Sequence, residues 1–285
     1  MLVDHPLTGR IYEPSKHGFT TRAQLDSAVH AAHFLMLGEK HDNRDHHRLQ
    51  ADLLRVFLRS RPDPAVAFEM LDVAQQPDVD RFLAAHPRSV DGFDRAVNWG
   101  DSGWPAWSMY RPVFAAALEG GARIVAANLP RADAMSVATQ GDKSPILGLL
   151  SLVPLPQPQL DAMAKEMGES HCGALPDSML PGMVLAQRAR DATIAAHVRE
   201  ADHGSGVALV CGDGHARKDR GVPVALQASP SQPVLSIAFI EVYRGEADPA
   251  SYVDAAEPGK EPFDFVWFTP RVDEKDPCEQ MHMPK

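Results

Sequence analysis

Four short apolar runs, each stopped by a polar or ionisable residue, constrain this chain more than anything else in it. Phe34-Leu35-Met36-Leu37 runs into Gly38, and Glu39 and His41 follow. Ala65-Val66-Ala67-Phe68 ends in Glu69. Ala122-Arg123-Ile124-Val125-Ala126-Ala127 ends in Asn128-Leu129-Pro130-Arg131, and Gly206-Val207-Ala208-Leu209-Val210-Cys211 ends in Gly212-Asp213-Gly214-His215. Short apolar runs closed by turn residues read as strands buried on both faces. After the first of them, from about Asp45 to Ser60, Leu49, Leu53, Val56 and Phe57 fall at helical spacing. Strands interleaved with such helices predict an α/β fold, with a central mixed, largely parallel β-sheet flanked by helices. Ligands bind such sheets outside the carboxyl ends of the strands. Parallel neighbours would bring Glu39, His41, Glu69, Asn128 and His215 to one crevice. Each alone reads equally well as an ordinary loop residue, and it is the recurrence that points to a site.

The net charge of −10 argues against a nucleic-acid partner, which needs clustered Lys and Arg for its phosphates. With 44% hydrophobic and 23% charged residues, 285 residues suit one large domain, here read as 1–285. No apolar stretch is long enough for a transmembrane segment, since prolines interrupt Ile146 to Leu155, the nearest candidate. Cys172, Cys211 and Cys278 are an odd number with no close pair, so no disulfide framework is expected. Met1 to His17 carries Asp4, His5, Pro6, Arg10 and Glu13 and no apolar core. As the sequence stands this predicts a cytoplasmic protein, or a periplasmic or lipid-anchored one if a leader was trimmed.

The first thirty or so residues read as a lead-in ending in a helix, Thr21 to Ala32, and Pro77 to Ala85 reads as another. Trp99, Trp104, Trp107 and Tyr110 fall within twelve residues, as either a packed aromatic patch or a wall for a flat ligand. Residues 142–201 read as a helical lid insertion over the crevice, with helical patterns at Leu160–Met167 and Met179–Arg199. Its methionines (Met163, Met167, Met179, Met183) line a ligand or fill core gaps. Beyond His215, Val222 to Leu226, Val234 to Ile240 and Phe263 to Phe268 are predicted strands. His46 and His47, at a helix start, read as solvent-facing.

Six ordered blocks carry a resemblance. They are Leu37-Gly38-Glu39-x-His41-Asp42, His46-His47-x-x-Gln50, Phe68-Glu69-Met70 and Trp104-Pro105-x-Trp107-x-x-Tyr110-x-Pro112. The last two are Gln187-x-x-Arg190-Asp191 after His171-Cys172-Gly173, and Gly212-x-Gly214-His215 before Gly221-Val222-Pro223. Over about residues 5 to 245 they resemble the ChaN-like family of haem-binding uptake proteins, grouped with Tiki-type metalloproteases and erythromycin-esterase-like proteins. The resemblance implies an α/β fold with a helical lid, haem as the ligand, a role in haem or iron uptake, and a homodimer. The sequence departs from the lipoprotein members in having no lipobox cysteine near its start.

Two functions follow. In the first the protein binds haem, with Trp104 and Trp107 as an apolar wall and Tyr110 as a phenolate axial ligand, chosen for its place in the motif. Asn128 and Arg131 complete that site by meeting an anionic group. In the second it is a metal-dependent hydrolase. Glu39, His41, Glu69 and His215 are a mixed oxygen and nitrogen set suited to Zn²⁺, Mn²⁺ or Fe²⁺. The ion would activate a water and leave one Glu as general base, with Asp42 and Asp213 orienting the imidazoles. A silent binding protein is the third class.

Overall fold

The computed structural model describes residues 1–227, 232–255, 257, 259–275 and 278. In chain order the elements are β1 (Ile11–Glu13), β2 (Gly18–Thr20), α1 (Arg22–Ala31), β3 (Phe34–Glu39), α2 (Arg44–Leu58) and β4 (Ala65–Asp72). Then come α3 (Gln76–Ala85), α4 (Phe93–Ala96), α5 (Trp107–Glu119), β5 (Arg123–Asn128), α6 (Arg131–Gln140), α7 (Gln157–Ser170) and α8 (Leu180–Glu200). The chain closes with β6 (Val207–Gly212), α9 (Asp213–Ala216), α10 (Val222–Gln227), β7 (Val234–Glu241) and β8 (Phe265–Thr269). All eight strands form one sheet in the order β2-β1-β8-β7-β3-β6-β4-β5. The six strands from β8 to β5 are parallel, and β1 joins antiparallel to both β2 and β8.

Both faces of the parallel part are covered, which is why its strands are apolar throughout rather than alternating. Side chains still alternate in direction. Leu35, Leu37, Ala208 and Val210 join one core with residues of α1, α2 and α5. Phe34, Met36, Val207, Leu209 and Cys211 join the other with residues of α8 and α10. Phe68 stacks on Phe114 with centroids 3.9 Å apart, and Trp99 and Trp107 meet the same Phe114. All four clustered aromatics therefore meet the first core, Trp99 and Tyr110 within it and the partly buried Trp104 and Trp107 against it. Burial of each such ring contributes about 1.5–3 kcal/mol.

Local signals place the helix starts. The Thr21 hydroxyl accepts from the Gln24 amide while the Gln24 side chain accepts from the Thr21 amide, a reciprocal cap on α1. Asn43 caps α2 through the Asp45 and His46 amides, and its own amide group donates to Glu241 and to the Pro270 carbonyl.

Three expectations are corrected here. Val222 to Leu226 is helix α10, not a strand. A run of five apolar residues does not distinguish the two, and Pro223 suits the first helical turn. The lead-in contains the β1/β2 hairpin. Cys172 and Cys278 form a disulfide across 106 residues, with Cα atoms 5.4 Å apart. No sequence spacing announces that pair, because the fold alone brings the end of α7 to the chain segment after β8. Cys211 is a buried free thiol, as expected of a strand residue. Among the described residues no helix is long and apolar enough to cross a membrane.

Candidate functional site

The chain leaves β3 toward α2 on one face of the sheet and leaves β6 toward α10 on the other. Adjacent strands whose connections part in this way open a crevice at their carboxyl ends. Glu39 ends β3 and belongs with Leu35 and Leu37 on the α2/α5 side. Glu69, near the end of β4, belongs on the α8 side. The crevice is thus built from two carboxylate clusters that approach it from opposite faces.

The first cluster centres on Glu39, which is 1% exposed. Its Oε1 accepts from the Tyr110 hydroxyl at 2.8 Å and from His41 Nδ1 at 3.1 Å. Its Oε2 lies 2.5 Å from His47 Nε2, off the axis of a hydrogen bond. Burial opposes the Glu39 carboxylate, but the contacts with His41 and His47 outweigh it and lower its pKa. His41 is the member that reaches solvent, with 36% of its side chain exposed. Burial opposes its charge too, yet the Glu39 hydrogen bond and the charges of Glu69 and Glu39 push its pKa up to about 9.

The second cluster centres on His215, held between Asp191 (Nδ1–Oδ1 2.6 Å) and Glu69 (Nε2–Oε1 3.4 Å). Against burial, the two carboxylates push its pKa up to about 10. Glu69 Oε2 also accepts from the Gly212 amide at 2.7 Å. Burial opposes its charge, but His215, His41 and that amide hold its pKa well below the usual range. Burial and the nearby Glu166 push Asp213 up to about 6.

Two glycines are required where the clusters meet. A Cβ on Gly38 would lie 2.8 Å from Ala216 Cβ and 2.9 Å from Asp213 Cα, so β3 and α9 touch only because that side chain is missing. A Cβ on Gly212 would fall 3.0 Å from His41 Nε2. Its absence leaves that nitrogen open to the crevice.

The opening has two lobes joined at Glu69. One, of about 770 Å³, is lined by His41, Glu166, Gln187, His215, Tyr243 and Arg271 among others. The other, of about 630 Å³, lies between Trp104, Asn128, Arg131 and Arg190. The Trp104 ring meets the His41 ring edge-on, with centroids 4.8 Å apart.

Of the residues expected at one crevice, Glu39, His41, Glu69 and His215 line the larger lobe, and Asn128 lines the smaller one beside Glu69. Trp104 faces it, whereas Trp107 turns into the core. Tyr110 is fully buried, and burial together with Glu39 raises its pKa far beyond the phenol range. Its hydroxyl serves Glu39, and a phenolate there is disfavoured. The four-donor metal set is not assembled either. Each imidazole is bound to a carboxylate of its own, and no group of three or more His, Cys, Asp or Glu is arranged to hold an ion among the described residues. Asp42 pairs with Lys40 at the surface, and the carboxylates that orient the imidazoles are Glu39 and Asp191 rather than Asp42 and Asp213.

His46 and His47 are buried, not solvent-facing. The signal for this was present, since His46 lies three residues before Leu49 and seven before Leu53 on the buried stripe of α2. Asp191 likewise falls on the stripe of α8 that holds Val184, Ala195 and Val198, where a lone acid needs a partner. His46 Nδ1 accepts from the Lys40 amide at 2.9 Å, and its Nε2 meets the Thr269 hydroxyl at 2.7 Å.

Burial, with the charges of His47 and Lys40, pushes the His46 pKa from 6.5 down to about 3. Between these values only the unfolded chain takes up the proton, so stability falls as pH drops from 6.5 toward 3. Urea midpoints measured from about pH 7 down to about pH 4 should carry a slope of up to about 1.4 kcal/mol per pH unit from this group. His46→Gln should flatten that slope. A variant with the parent's slope would remove His46 as its source.

Comparison with known proteins agrees with this architecture. In the solved structure "Cofacial heme binding to ChaN of Campylobacter jejuni", the matching chain is 21% identical with a TM-score of 0.72, and the match covers 90% of this chain and 95% of that one. An erythromycin esterase, EreC, in its open conformation is 15% identical with a TM-score of 0.49, covering 91% and 81%. No curated protein matches the chain. The profile described as "Haem-binding uptake, Tiki superfamily, ChaN" matches residues 26–226, which hold both carboxylate clusters and the Trp104, Arg131 and Arg190 wall of the smaller lobe. The chain therefore belongs to the ChaN-like haem-binding uptake family of the Tiki superfamily.

Proposed function

We propose that this protein binds haem in the crevice and serves haem or iron handling. The observation that carries the reading is His41 beside Trp104. Its Nδ1 is held by Glu39, and its Nε2 makes no hydrogen bond among the described residues. An imidazole that ligates a metal needs its other nitrogen on a carboxylate, which fixes the ring and raises its basicity. Trp104 supplies a flat apolar face, and Arg131 and Arg190 supply cations for acidic groups. Haem, when bound, would supply an iron that accepts an imidazole nitrogen and two carboxylates that call for cations. The protein's part is to orient the imidazole, through Glu39, and to hold Glu39, through Tyr110 and His47. His41 would hold the iron, giving up its Nε2 proton on binding, in preference to the buried Tyr110.

The 142–201 stretch contributes Glu166 and Gln187 to the roof of the crevice, which supports its reading as a lid. The Cys172–Cys278 bond supports an oxidising compartment such as the periplasm over the cytoplasm.

A haemin titration followed at the Soret band tests the reading. We expect saturation at a fixed stoichiometry, a shifted band lost or weakened at least tenfold in His41→Ala, and a near-parental band in Tyr110→Phe. A band kept in His41→Ala and lost in Tyr243→Phe would move the ligand to the exposed phenol on the rim of the larger lobe. No saturable band in the parent would end the haem reading.

A further inference from the structure

The smaller lobe contains a guanidinium that forms no ion pair among the described residues. Arg190 stands on α8, half-buried, and its Nη1 donates to Asn128 Oδ1 at 2.8 Å and to the Leu129 carbonyl at 3.2 Å. Both acceptors are neutral. Arg131, at the start of α6, lines the same lobe and adds like charge, and burial with that neighbour lowers the Arg190 pKa against the more distant attraction of Glu69, Asp191 and Asp72. Among the described residues neither guanidinium has an ion-paired carboxylate. Three acids line the same wall, Glu69, Asp72 and Asp101, and among the described residues none forms an ion pair with either guanidinium. Glu69 is taken by His215 and the Gly212 amide, and Asp72 accepts from the Ala74 amide. A half-buried cation without an anion in contact is costly, and the exposed Arg131 adds its charge to the same wall.

Asn128 fixes the geometry. Its Nδ2 donates to the Glu69 carbonyl at 2.9 Å, so its Oδ1 is locked toward Arg190 and holds the guanidinium plane in place. The Nε and Nη2 groups of Arg190 make no hydrogen bond among the described residues, which leaves donors in a fork for the lobe. A planar fork of this kind matches a carboxylate with two parallel hydrogen bonds. Trp104 lines the same lobe as an aromatic face.

We infer that Arg190 and Arg131, with Asn128 as the positioning residue, form a carboxylate subsite for a ligand whose flat body lies on Trp104. The inference rests on the crevice being a ligand site. It adds the chemical class the site selects, an aromatic carboxylate, and assigns that selection to Arg190.

Haem and a free aromatic acid are the two sources of such a carboxylate, and the test separates them. In the first arm 2-naphthoate and 2-naphthamide, equal in shape and different in charge, are titrated into the full chain by tryptophan fluorescence. The parent should bind the acid at least tenfold tighter than the amide, and Arg190→Gln should remove that preference. Arg131→Gln, at an exposed helix start, should reduce it about threefold and covers the case in which Arg190→Gln fails to fold. Equal affinity for acid and amide in the parent, no binding of either, or a preference unchanged in both variants would overturn the subsite.

In the second arm haemin is compared with its dimethyl ester. Esterification should weaken binding about tenfold in the parent and not in Arg190→Gln. Haemin binding indifferent to esterification would overturn the subsite as a propionate site while the haem reading stands. A naphthoate preference in a protein with no saturable haemin band would support the subsite, for a free acid, and end the haem reading instead.

Discussion

Glu39→Ala is expected to lower the stability of the folded chain by about 3–5 kcal/mol, a large part of what a domain possesses. The residue is small in count and central in position. One carboxylate, 1% exposed, serves the Tyr110 hydroxyl, His41 Nδ1 and His47 Nε2. Removing it leaves the buried Tyr110 hydroxyl with only its long 3.4 Å contacts to His41 and takes the carboxylate away from the buried His47 imidazole. Glu39→Gln keeps one acceptor oxygen and should cost less than half as much. Urea unfolding of the three proteins at neutral pH measures this directly. An alanine variant within about 0.5 kcal/mol of the parent, the range of ordinary surface changes, would show that Glu39 is not the hub.

The second large effect concerns the disulfide. Breaking the Cys172–Cys278 bond, by a paired Ser replacement or by reductant, should cost about 2–5 kcal/mol, because the bond spans 106 residues of otherwise free chain. The stabilisation acts through the unfolded state, so it should appear in equilibrium midpoints even where the folded structure is unchanged. Parent and double variant should differ under oxidising conditions and coincide in reductant. If they already coincide without reductant, the bond does not stabilise the fold.

Much of the architecture was legible because the physical cause is local. A strand buried on both faces must be apolar along its length, and Phe34 to Leu37, Ala65 to Phe68 and Val207 to Cys211 are. The gathering of Glu39, Glu69, Asn128 and His215 was legible for a related reason, since parallel strands deliver their next residues to one edge. What escaped was whatever depends on the third dimension. Val222 to Leu226 has the composition of a strand and the position of a helix. Tyr110 sits in the right motif and points to the core, because the helical period of α5 decides its direction and the motif does not. The metal expectation counted donors without their partners, and Asp191, the partner of His215, comes from a helix the strand argument did not include. Trp104 and Trp107 were indistinguishable in sequence, yet only the first lines the opening.

The position of β6 has a consequence for the newborn chain. β6 is the strand between β3 and β4, and it is synthesised after α8, well over a hundred residues behind both of its neighbours. Until the ribosome has delivered Val207–Gly212, two apolar strands hold open a slot one strand wide, with bare edges that invite pairing with another chain. Closing that slot is also what brings Gly212, His215 and the Glu69 contacts to His41. Nascent chains therefore carry those bare edges before they possess a crevice at all. Ligand binding, for the same reason, can serve as a certificate that an individual molecule has finished folding.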